Sequence, residues 1–80
     1  MYLCVRGFLP DDFEDDSLKF RLAVDGILNE RIVKILGHRS LNAMAEGEWA
    51  LTSEQVADLS STIGQPLPTD LDLFIGVVAQ

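Results

Sequence analysis

Five carboxylates fall within the six positions 11–16, where Asp11, Asp12, Glu14, Asp15 and Asp16 surround a single Phe13. Carboxylates at that density can hold a hard divalent cation, or they can present negative charge to a basic partner. Calcium makes a specific demand. A helix–loop–helix calcium loop places oxygen ligands at alternating positions, Gly at the sixth and a bidentate Glu at the twelfth. Counted from Asp12, Glu14 and Asp16 fit the third and fifth positions, but Ser17 stands at the sixth and Ala23 at the twelfth. No dedicated metal site is expected. His38 is the one histidine and Cys4 the one cysteine, so a zinc site would draw most of its ligands from carboxylates, an uncommon donor set. Cys4 sits in a β-forming run with Arg6 as its nearest cation, which reads as an inert buried thiol.

Nucleophilic and phosphoryl chemistry fare no better. The run "LGHRSL" at 36–41 resembles the Leu-Gly-His box of tyrosine recombinases, whose His helps position a phosphodiester. Those enzymes also need an Arg cluster and a Tyr nucleophile downstream of the box. The one tyrosine here is Tyr2, ahead of it, and the chain is acidic. A mechanical reading suffices: a helix end, Gly37 as a stop, then Ser40 as a cap for the next turn. Nothing around Ser40, Ser53, Ser60 or Ser61 resembles a nucleophile elbow, and there is no glycine-rich phosphate loop. The expectation is a protein with no catalytic residues and no cofactor, acting by binding.

The charge distribution indicates what it would bind. Net charge is −7, which argues against nucleic acid and anionic membrane as partners. All six Lys and Arg (Arg6, Lys19, Arg21, Arg31, Lys34, Arg39) precede residue 40, where they nearly balance seven acids. From Ser40 onward there are six acids (Glu46, Glu48, Glu54, Asp58, Asp70, Asp72) and no base. Such a field either steers a basic protein partner or only keeps a small protein soluble.

The elements that would carry these residues follow from local pattern. Eighty residues, 48% of them hydrophobic, suit one domain over 1–80. No apolar run approaches the ~20 residues of a membrane span. The start "MYLCVRGFLP" lacks the length and cleavage site of a signal peptide, so the expected compartment is the cytoplasm. Residues 2–9 read as a first strand, ended by Pro10. At 17–24 alternation is clean: Leu18, Phe20, Leu22 and Val24 on one face, Lys19, Arg21 and Ala23 on the other. After Asp25-Gly26, Leu28, Ile32, Ile35 and Leu36 follow a helical stripe stopped by Gly37, although "RIVKIL" is also β-branched enough for a hairpin strand. Ser40 caps a short turn through Met44, and 48–52 is briefly extended. Thr52 and Gln55 form a capping box for a helix with Val56, Leu59 and Ile63 inward and Gly64 at its end. "LDLFIGVVA" closes the chain as an apolar strand inside the sheet. The predicted class is α+β, a small antiparallel sheet of three to four strands with two main helices packed on one face.

Trp49 stands between Glu46, Glu48 and the capped helix, either as a core residue under the sheet or as an interface anchor among carboxylates. The stretch "GEWALTSEQVADLSSTIGQPLPTDLDLFIGVVA" resembles the closing pattern of small acidic bacterial immunity proteins: a Gly-aromatic-x-Leu-Thr step, a capped helix, then an "l.LD…F" strand. The resemblance covers about 40% of the chain and implies binding to a cognate toxin, often a nuclease with a basic substrate groove. Asp11, Asp12, Glu14, Asp15, Asp16, Glu46, Glu48, Trp49, Asp70 and Asp72 are the expected partner-binding residues. Two other readings fit the composition: a phage-encoded acidic nucleic-acid mimic that inhibits a host defence nuclease, and a non-catalytic adaptor or small subunit acting by protein–protein contact.

Overall fold

The apolar residues that alternate along the first and last strands meet in the middle of the structure. The computed structural model of the protein describes residues 1–10 and 17–79. Four strands, β1 (Tyr2–Phe8), β2 (Leu18–Ala23), β3 (Trp49–Ala50) and β4 (Asp72–Val78), form an antiparallel sheet in the order β2-β1-β4-β3. β1 and β4 pair along their whole length, from Tyr2 opposite Val78 to Phe8 opposite Asp72. The strand that closes the chain is thus interior, in agreement with its apolar run.

Three helices cover one face: α1 (Asn29–Ile35), α2 (Leu41–Met44) and α3 (Ser53–Ile63). The small α+β architecture expected from the sequence is therefore the one observed. Leu3 and Val5 of β1 and Leu73 and Ile75 of β4 join Ile32 and Val33 of α1, Met44 of α2, Leu59 of α3 and Leu67 in one buried cluster. Burial of each such side chain contributes about 1.5–3 kcal/mol. Gly7 shows how tight this face is: a Cβ there would lie 2.9 Å from Leu73 Cδ2 and 3.1 Å from Phe20 Cβ.

The helix boundaries carry the signals read from the sequence. Thr52 Oγ1 accepts from Gln55 N at 3.1 Å while Gln55 Oε1 accepts from Thr52 N at 2.9 Å, closing the capping box of α3. Gly64 ends α3 at φ 85°, a left-handed conformation that glycine adopts without strain. Ser40 Oγ accepts from Ala43 N and caps α2. The ambiguous segment 27–36 is helical, entered through a 3-10 turn (Gly26–Leu28) whose Asp25 side chain accepts from Ile27 N. Burial decides it, because only the helix turns both Ile32 and Val33 into the core while Arg31 and Lys34 stay exposed.

One expectation fails locally. The β1/β2 register slips by one residue between Gly7 and Phe8, so that Phe20 pairs with Gly7 but Leu18 pairs with Phe8. A slip of one moves a side chain to the other face. Leu18 is accordingly 47% exposed and outside the core, while Phe20 and Leu22 pack against the core and Val24 belongs to it.

Candidate functional site

The sheet carries the candidate partner residues at two separate places. Asp70 and Asp72 lie where β4 begins, both exposed. Phe8 pairs with Asp72 on one side and with Leu18 on the other, so the chain flanking the acidic run leaves and re-enters the sheet at this same end. Asp11, Asp12, Glu14, Asp15 and Asp16 themselves lie outside the described residues. The edge-to-face contact of Phe8 with Phe74, ring centroids 5.9 Å apart, stiffens the sheet beside Asp72.

Glu46 and Glu48 belong to the second place, the loop leading into β3. This loop crosses the face of the sheet that no helix covers. A Cβ on Gly76 would lie 3.2 Å from Glu48 Cγ and 3.8 Å from the Gly47 carbonyl oxygen, so glycine at 76 is what lets the loop approach. Glu48 accepts a charge-assisted hydrogen bond from Arg6. Arg6 lies opposite Arg21 in the register, and Arg21 Nη2 in turn donates to Tyr2 Oη at 3.4 Å. Glu48 thereby relieves a like-charge pair inside the fold.

Trp49 points the other way. Its strand neighbour across the ladder is the fully buried Ile75, and successive strand residues face opposite sides. The indole packs against the core, and Nε1 donates to the Met44 carbonyl oxygen at 3.0 Å. The structure thus brings Trp49 to the helix side and Glu48 to the open side, and does not ring the indole with carboxylates.

A feature absent from the sequence reading lies between α1 and α2, an open groove of about 710 Å3. That volume falls in the range typical of ligand sites. Two further hollows, of about 190 and 220 Å3, are much smaller. The groove's wall is set by the end of α1. His38 N donates to Val33 O and Gly37 N to Lys34 O, both at 3.1 Å, with Gly37 at φ 75°. This is a Schellman motif. It fixes the backbone at His38, and the His38 ring rests on Trp49 with centroids 4.6 Å apart. Ile27, Val33 and Leu41 supply apolar surface to the groove, and Lys34, His38 and Arg39 its polar and cationic side chains. The signal was present in the sequence as Lys34, His38 and Arg39 within six positions around a helix stop. Only the fold shows that the stop makes an elbow.

Cys4 is 1% exposed, with Sγ directed at the Val5 carbonyl oxygen at 3.8 Å. Ser60 Oγ donates to Val56 O at 2.8 Å and accepts from Leu67 N at 3.2 Å, tying α3 to the segment before β4. Among the described residues, no group of three or more His, Cys, Asp and Glu side chains could hold a metal ion, and no helix is long and apolar enough to cross a membrane. Comparison of the chain with family models, with curated proteins and with solved structures finds no match.

Proposed function

We propose that this chain is an immunity-type binding protein of the cytoplasm that neutralises a cognate basic nuclease toxin by occluding its active site or substrate groove. One observation carries the reading: Asp70 and Asp72 share a sheet end with the two flanks of the 11–16 acidic run, in a chain of net charge −7. Carboxylates gathered on a firm edge can stand in for a row of phosphates. They cost little while solvated and attract a basic groove over about a Debye length, ~10 Å at 0.1 M salt. Glu46, Glu48 and the open part of the Trp49 ring flank the β3 edge as a secondary contact. The similarity of residues 47–79 to immunity proteins points the same way.

The test begins with capture of a basic nuclease on the immobilised protein from cells that produce it, followed by binding kinetics. The variant Asp11→Asn, Asp12→Asn, Asp15→Asn, Asp16→Asn should associate about tenfold more slowly at low salt, with a smaller change in dissociation. Association as fast as wild type at low salt would reduce the acidic run to a solubility feature and remove the proposal's main support.

A further inference from the structure

The groove between α1 and α2 carries charge opposite to that of the rest of the molecule. Lys34 and Arg39 line it together with His38, and Glu30 is its one carboxylate. Among the described residues neither Lys34 nor Arg39 is paired with a carboxylate; the ion pair formed there is that of Arg6 with Glu48, on the open face of the sheet. Both cations are exposed on a chain in which acids outnumber Lys and Arg thirteen to six. Cations left unneutralised in an acidic protein are available to an incoming anion.

Apolar surface adjoins them. Ile27 is 85% exposed, the most exposed of the large hydrophobic side chains among the described residues, and Val33 and Leu41 line the same groove. A lone exposed isoleucine needs no explanation. One beside two further apolar side chains and two free cations, in a hollow of about 710 Å3, has the composition of a binding site. The wall is also rigid. The Schellman motif fixes His38, and Trp49, held by its bond to Met44 O, backs the ring. Little ordering is then required on binding, which favours affinity.

We propose that this groove binds an acidic peptide segment carrying an apolar side chain between carboxylates. The carboxylates would meet Lys34 and Arg39, and the apolar side chain would cover Ile27 and Leu41 above the buried Val33. An inorganic anion would satisfy the cations and leave Ile27 exposed; a purely apolar segment would do the reverse. The residues lining the groove are none of those proposed to meet a toxin, and Trp49 only backs His38 from behind, so either proposal can fail alone.

The probe is a synthetic, fluorophore-labelled hexapeptide Glu-Asp-Phe-Asp-Glu-Glu with blocked ends, a sequence that does not occur in the chain itself, titrated against the full chain by anisotropy at low salt. Binding should be saturable and should weaken at least about tenfold when salt is raised to physiological strength or beyond. Lys34→Glu with Arg39→Glu should abolish it, while circular dichroism and melting temperature stay near wild type because both side chains are exposed. Ile27→Ser, and separately a peptide with Ser in place of Phe, should each weaken binding about threefold or more, since each loses buried apolar area. In two-dimensional amide spectra the shifts should fall on residues 26–42. Absence of saturable binding, binding that survives the double charge reversal, a Ser peptide that binds as well as the Phe peptide, or shifts confined to other residues would each overturn the proposal.

Discussion

On the helix-facing side of the sheet, Leu3, Val5, Leu73 and Ile75 are each no more than 3% exposed and belong to one apolar cluster with Ile32, Met44 and Leu59. On the other side, alternate residues of the same strands include Tyr2, Arg6, Phe8, Arg21, Asp72 and Phe74, none of them buried, and the buried exceptions are Cys4 and Gly76, paired with each other beneath the loop at 47–48. That side is held by an ion pair, an aromatic pair and the loop over Gly76. The contrast separates two tasks on one set of strands. Apolar area removed from water supplies most of the stability on the first side. The second side is closed by contacts that water and salt can replace, and it is the side on which charge is displayed.

The strongest way to break this comparison is to empty the inner side. Ile75→Ala removes a fully buried side chain between β1 and β3 and should lower the unfolding free energy by about 2–5 kcal/mol in urea titration. A loss below about 1 kcal/mol would mean that the inner side is loosely packed. The two strand glycines give a matched pair, one on each side. Gly7→Ala drives a methyl to within 3.1 Å of Leu73, Leu71 and Phe20 and should cost about 1–3 kcal/mol. Gly76→Ala meets only Glu48 Cγ that closely, the stem of an exposed side chain whose only tie among the described residues is its surface ion pair with Arg6, and should cost less than Gly7→Ala, about 1 kcal/mol. Equal effects at the two glycines would erase the distinction. Smallest of all should be Glu48→Gln. Its partner Arg6 and Glu48 itself have side chains 37% and 43% exposed, so the loss should be about 0–1 kcal/mol and should shrink further as salt rises.

Much of the fold was legible because its signals are local. The Thr52 and Gln55 capping box, the Ser40 cap and the left-handed stops at Gly37 and Gly64 each involve atoms within five residues of one another. Alternation placed Phe20, Leu22 and Val24 correctly, but Leu18 escaped it. A one-residue slip in pairing leaves no trace in the periodicity of the slipped strand. The candidate site was legible only as composition. The acids could be counted, but nothing in their spacing said that Asp70 and Asp72 would sit beside the flanks of the 11–16 run and apart from Glu46 and Glu48.

By itself the sequence determined element types wherever a cap, a glycine stop or a clean period spoke, and it determined the acidic balance and its skew toward the second half. Tertiary structure alone decided the strand order β2-β1-β4-β3, which joins the first and last strands of the chain. It turned 27–36 into helix because Ile32 and Val33 had a core to enter. It also paired Arg6 with Glu48 across 42 residues and turned Trp49 inward to Met44 and His38. Between α1 and α2 it opened the groove. The physical reason is range: caps and turns are chosen by neighbours along the chain, whereas register, facing and hollows are chosen by which apolar surfaces find each other once the chain has closed on itself.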